Sequence, residues 1–177
     1  MPVVTRYKLS MRIMHHLIAL LIIGLLAVGL YMTGLDKKDP SRMQLYTLHK
    51  TFGWFVLWLA VIRVMLRLIH KPKFEGLSRT WEILAKIGHY GLYAFMFIMP
   101  MSGWLMSSAA GYNVKLFGSE ALIIPNLIAK NKEMAGFFKE IHEISAYILI
   151  AMIIGHVLAA LKHKYCHKVN VISRMFP

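Results

Sequence analysis

Four long apolar stretches, separated by basic clusters, dominate the chain. Leu17 to Leu35 carries no charge over 19 residues and extends back to Ile13 through His15 and His16. A bilayer core takes about 20 helical residues at roughly 1.5 Å rise each, so a first membrane span is predicted over residues 13–35. The stretch exceeds the ~7–15 apolar residues of a secretory leader, and no small-x-small cleavage pattern follows it, so a retained helix is expected. Further spans are predicted over residues 48–69, with an uncharged centre from Thr51 to Ile62, and over residues 87–110 and 141–161. Pro100 lies inside the third and is expected to kink it, because proline is tolerated in membrane helices. Gly111–Glu140 remains as the one sizeable loop. The expected fold is all-α, an integral membrane four-helix bundle forming a single domain over residues 1–177.

Composition supports lipid as the solvent. Of the 177 residues 58% are hydrophobic and only 16% charged, against about 25% charged in a soluble domain. The one cysteine, Cys166, excludes an intrachain disulfide, and no CxxCH motif for covalent haem attachment is present.

The formal net charge is +13, which alone is compatible with nucleic-acid binding or with basic membrane loops. Its distribution decides. Four spans put both termini on one side, together with the second loop. That side collects 13 of the 21 basic residues: Arg6, Lys8, Arg12, Arg63, Arg67, Lys71, Lys73, Arg79, Lys86, Lys162, Lys164, Lys168 and Arg174. Only Glu75 and Glu82 oppose them there. The positive-inside rule then makes both termini cytoplasmic, and no nucleic-acid partner is needed to explain the charge.

Nine histidines are many for so apolar a chain. His70, His163 and His167 lie in basic cytoplasmic stretches and read as solvated. His15, His16, His49, His89, His142 and His156 fall inside or at the edge of a span, where an ionisable side chain is costly and marks a candidate site. His142 and His156 are 14 residues apart on one helix, which gives about 40° of azimuth and about 21 Å of rise. His49 starts the second helix at the outer level of His142. His15 starts the first at the inner level of His156. Two cross-bundle pairs are therefore expected, His49–His142 and His15–His156. Facing neutral imidazoles can supply both axial ligands of a haem iron. Zinc fits less well, since few thiolates or carboxylates are nearby, and purely structural interhelical histidines are the remaining alternative.

Arg63 follows His49 by the same 14 residues. There it either pairs with a haem propionate in a bidentate, charge-assisted contact or snorkels at the helix end. Lys50 and Lys139 are placed similarly for an outer haem. Gly53 and Gly155 would let a porphyrin approach the backbone, or serve helix packing.

Several motifs together resemble the bacterial cytochrome b561 family. They are Met14-His15-His16-Leu17, Leu48-His49-Lys50-Thr51-Phe52-Gly53, Gly88-His89-Tyr90-Gly91-Leu92-Tyr93, Pro100-Met101-Ser102-Gly103-Trp104-Leu105-Met106, Ile141-His142-Glu143 with His156, and Ser173-Arg174-Met175-Phe176-Pro177. The resemblance covers nearly the whole chain. It implies a bacterial inner-membrane cytochrome with two non-covalent b haems, ligated by His15, His49, His142 and His156. The family usually has Trp directly after the first ligand, where this chain has His16. His89 matches a recurrent non-ligand histidine, yet its predicted level makes it the reserve for His15.

Two stacked haems make an electron path across the membrane, and two axial histidines leave the iron no vacant site, so outer-sphere transfer is expected. The resemblance implies ubiquinone as acceptor and, in some members, superoxide as the outer donor. Arg42, Lys50 and Lys139 could steer that anion. His163, seven residues beyond His156 on the same face, is the candidate to meet quinone on the inner side, with His16 and Lys162 as assistants. The competing functions are a cytochrome b subunit linking quinone to a partner dehydrogenase or hydrogenase, and a non-redox membrane scaffold or channel component.

Overall fold

A computed structural model describes residues 6–70 and 77–175. Lys71, Lys73 and Glu75 of the expected cytoplasmic loop, and the terminal Phe176-Pro177, lie outside the described residues. The order of elements is α1 (Leu9–Gly34), α2 (Pro40–His70), α3 (Arg79–Ala109), a hairpin of β1 (Val114–Lys115) and β2 (Ile123–Ile124), and α4 (Lys132–Tyr165). All four helices are long and apolar enough to cross a membrane. The protein is a four-helix membrane bundle.

The helices run past the apolar stretches because polar caps start and stop them. Asp39 precedes Pro40, whose fixed φ and missing N–H suit the first helical position. The Asp39 carboxylate accepts from the Ser41 N–H at 2.8 Å and hydroxyl at 2.6 Å, and these bonds hold its pKa below the ordinary value. Asn131 Oδ1 accepts from the N–H groups of Glu133 and Met134 at 2.9 and 3.0 Å. That cap starts α4 at Lys132, so helix occupies part of the expected Gly111–Glu140 loop. At the far end of α3, Gly111 adopts φ +82° and Tyr112 N–H returns to Ser107 O at 2.9 Å, a glycine-terminated reversal. Helix α3 continues through Pro100.

Each helix packs on its sequence neighbour, whereas α1 and α4 approach each other sparsely. Ile18, Ala60 and Met96 form the central contact of α1, α2 and α3, surrounded by Met14, Ile22, Leu59, Tyr93 and Phe97. Large apolar side chains such as Leu20, Trp58, Ile87 and Leu158 point outward on all four helices, as a lipid-facing surface requires.

The two ends of the bundle differ. At one end, Tyr7 N–H donates to Arg174 O at 3.1 Å, Arg12 Nε donates to Met175 O at 3.1 Å, and the Arg174 guanidinium lies 4.6 Å from the Tyr7 ring centre. Both chain ends therefore meet on one side, the inner side in the sense of the charge distribution. At the other end the hairpin folds back on α2. Phe117 N–H donates to Thr51 Oγ1 at 2.9 Å, and its ring packs on Phe52 and Phe55. Phe117 has φ +52°, an unfavourable conformation for a non-glycine residue, offset here by that bond and the aromatic contacts. Leu127 N–H to Ser108 Oγ at 3.2 Å and Trp104 Nε1–H to Pro125 O at 3.1 Å fasten the rest of this outer loop.

Candidate functional site

One register recurs on all four helices. A histidine near one membrane level is followed, 14 residues on, by a residue of the opposite level: His15 and Gly29 on α1, His49 and Arg63 on α2, His89 and Gly103 on α3, His142 and His156 on α4. Four turns of helix bring each pair nearly onto one face. Packing then gathers the eight positions into two layers.

The outer layer holds His49 and His142, with ring centres 6.2 Å apart across α2 and α4. Each ring rests against a glycine of another helix. A Cβ at Gly29 would stand 3.2 Å from His49 Cε1, and one at Gly103 would stand 3.1 Å from His142 Cε1. His142 Nδ1 lies 3.0 Å from Met99 O and 3.1 Å from Ser102 Oγ, whose hydroxyl donates to Met99 O at 2.9 Å. His142 must then be the donor at Nδ1, which leaves the Nε2 lone pair free. His49 Nδ1 is buried with no hydrogen-bond partner.

The inner layer holds four imidazoles and a guanidinium. His15 and His156 bridge the sparse α1–α4 seam with ring centres 6.3 Å apart, while His89 stands 5.4 Å from His156 and His16 stands 5.4 Å from His15. His89 Nδ1 donates to Ala85 O at 2.6 Å, and His16 Nδ1 to Arg12 O at 2.7 Å. Arg63 donates to His15 Nδ1 at 3.0 Å and lies over the Tyr93 ring at 5.8 Å.

These distances can be tested against an iron held between two imidazoles. Two metal–nitrogen bonds of about 2.0–2.1 Å, with about 1.1 Å from nitrogen to ring centre on each side, need about 6.3 Å between centres. The His49–His142 and His15–His156 pairs have that separation. His89–His156 is closer by roughly the width of half a bond. The Met99 O and Ser102 contacts at His142 Nδ1 are the outer partners that orient a metal-bound imidazole, and the glycines behind both outer rings leave them room.

Comparison with known proteins gives the family. Residues 6–177 match the family description "Prokaryotic cytochrome b561". The chain belongs to this family. It is 30% identical over 172 residues to Cytochrome b561 homolog 2 of Escherichia coli strain K12, covering 96% of this chain and 90% of the relative. It is 27% identical over 165 residues to Cytochrome b561 homolog 1 of the same organism, covering 92% of each. A third relative, 30% identical over 132 residues and 73% of each chain, is the Probable superoxide oxidase CybB of Yersinia pestis. As a cytochrome b561 the protein is a multi-pass electron-transport protein of the bacterial inner membrane with b-type haem.

Not every expected residue joins the two layers. Lys50 Nζ lies over the Tyr112 ring at 5.6 Å, next to His49 in sequence. Lys139 is exposed on α4. The Arg42 guanidinium lies over Tyr46 at 5.5 Å with its Nε buried and unpartnered. A Cβ at Gly53 or Gly155 would meet no protein atom within 4 Å. The glycines that touch the histidines are Gly29 and Gly103, and the 14-residue register was the signal for both. His163, expected to be solvated or to face quinone, is only 6% exposed, with Trp81 at 5.2 Å between ring centres.

Proposed function

We propose that this cytochrome holds two b haems, one per histidine layer, and carries electrons from a donor on the outer side to quinone on the inner side. The observation that carries the reading is the pair of facing imidazoles at 6.2 and 6.3 Å, about 21 Å apart along the helix axes. His49 and His142 are the proposed outer ligands, and His15 and His156 the inner ones. Haem iron supplies one-electron chemistry, and the protein sets its potential through ligation, burial and nearby charge.

The chain's own groups have distinct tasks in this reading. His142 is held in the ligating tautomer by Met99 O and Ser102. His15 is not, because Arg63 can only donate, so Nδ1 accepts and the ring proton sits on Nε2. Ligation through Nε2 requires Arg63 to release His15, and a propionate carboxylate is the stronger guanidinium partner. Arg63 would then hold the propionate in place of the His15 ring. Lys50 and Lys139 are the proposed cations of the outer side. On the inner side His163, with His16 and Lys162, is the proposed quinone-facing group.

Superoxide is the proposed outer donor and ubiquinone the acceptor, supported by the name of the Yersinia relative. Stopped-flow mixing of superoxide with the oxidised protein tests this. Rapid haem reduction, followed by reoxidation only when quinone is present, is expected. Reduction that requires an added dehydrogenase or hydrogenase partner would instead favour the subunit reading.

A further inference from the structure

At the inner end of α4, beyond both histidine layers, His163 and His167 form a second imidazole cluster. Their Nδ1 atoms are 3.0 Å apart. One of the two nitrogens must therefore carry a hydrogen and the other a lone pair, since two N–H groups would collide at this distance. We propose that this pair is a chelating site for a first-row transition-metal dication of the copper, nickel and zinc class.

The bite is right for such an ion. With metal–nitrogen bonds of about 2.0–2.1 Å, two ligands at 90° sit about 2.9 Å apart, and at a tetrahedral angle about 3.3 Å apart. The observed separation falls between these values; an ion bonded to both nitrogens would lie about 1.4 Å off the line joining them, so the two rings, with centres 5.1 Å apart, turn from facing each other to facing the ion as it replaces the shared proton. Imidazole is a preferred ligand for these ions and a poor one for magnesium or calcium.

The backbone fixes that bite. Cys166 N–H and His167 N–H both return to Lys162 O, at 2.8 and 3.3 Å, so His167 stays close to one helical turn above His163. Lys168 then takes φ +55°, and Val169 N–H donates to His163 O at 2.9 Å. This reversal clamps both histidines from the chain side. Trp81 packs against both rings, 5.2 and 5.3 Å between centres. His163 is buried while His167 is exposed, so one side of the pair is open to water for the remaining coordination positions.

Nearby cations would oppose a dication, and their placement limits this. Lys162 Nζ is drawn over the Trp81 ring at 4.6 Å, and Lys164 Nζ over the Tyr165 ring at 5.2 Å. Lys168 is exposed to screening solvent. The site is independent of the haem reading, although occupancy would take His163 Nδ1 out of any hydrogen bonding to quinone.

The test is Ni2+ titration by calorimetry on detergent-solubilised holoprotein purified without a polyhistidine tag. One Ni2+ per chain is expected, displaced by Cu2+ and unaffected by Mg2+. His167→Ala, at an exposed position that leaves the fold intact, should weaken binding by at least about tenfold. His70→Ala should leave it unchanged. Failure of the wild-type protein to bind Ni2+, or equal binding by His167→Ala, would overturn the proposal.

Discussion

Replacing Gly103 by alanine adds one methyl group behind a proposed ligand. The new Cβ would stand 3.1 Å from His142 Cε1 and 3.3 Å from Nδ1, tighter than an ordinary carbon contact of about 3.5–4.0 Å. The ring must move by a few tenths of an ångström, yet Met99 O and Ser102 Oγ hold its Nδ1 at 3.0 and 3.1 Å. Forcing a methyl into such a packed site costs about 1–3 kcal/mol. Alanine recovers about 0.5–1 kcal/mol through its better helix propensity. The net of about 0–2.5 kcal/mol corresponds to as much as about 70-fold weaker haem retention at the outer layer. Gly24→Ala is the control, because Gly24 is exposed on α1 away from both histidine layers and its Cβ meets open space, so only the propensity gain applies. The assay is haem content per chain by pyridine haemochrome, with low-temperature electron paramagnetic resonance to separate the two low-spin signals. Gly103→Ala should deplete or shift one signal, with Gly24→Ala like wild type. Two unperturbed signals in Gly103→Ala would refute the placement of His142 against the outer haem.

His15→Ala should remove the inner low-spin signal while His89→Ala retains it, as read by the same resonance spectra; the reverse pattern would move the ligand to α3. Arg63→Ala should shift the midpoint of one haem, measured by redox titration, and leave the other unchanged. Thr51→Val removes the acceptor of the Phe117 N–H and should destabilise the outer loop by about 1 kcal/mol, seen as faster amide exchange around Phe117. Asn131→Ala should cost about 1 kcal/mol through the lost α4 cap, read from the thermal midpoint in detergent.

The spans were legible because a helix in lipid must be apolar along its whole crossing, and charges can lie only at its ends. The helix termini were less so. Asp39-Pro40 and Asn131 start helices within polar sequence, where hydropathy has nothing to report. The cross-bundle histidine pairs follow from a 14-residue spacing that needs only helical geometry. Gly29 and Gly103 obey the same spacing, but glycine carries no chemistry of its own, so only packing shows that they cradle imidazoles. The His15–Arg63 bond and the burial of His163 under Trp81 depend on side chains from different helices meeting, which no single-helix pattern contains. The outer hairpin is similar: its positive φ at Phe117 falls on a residue type that gives no warning of it.

The central claim, two iron sites built from two imidazole pairs, is tested most directly by haem stoichiometry in the wild-type protein beside His142→Ala and His156→Ala. Pyridine haemochrome should give two extractable b haems per chain in the wild type. Each variant should lose one, His142→Ala the outer signal and His156→Ala the inner. A wild-type value of one haem per chain, or a variant that keeps both, would contradict the account.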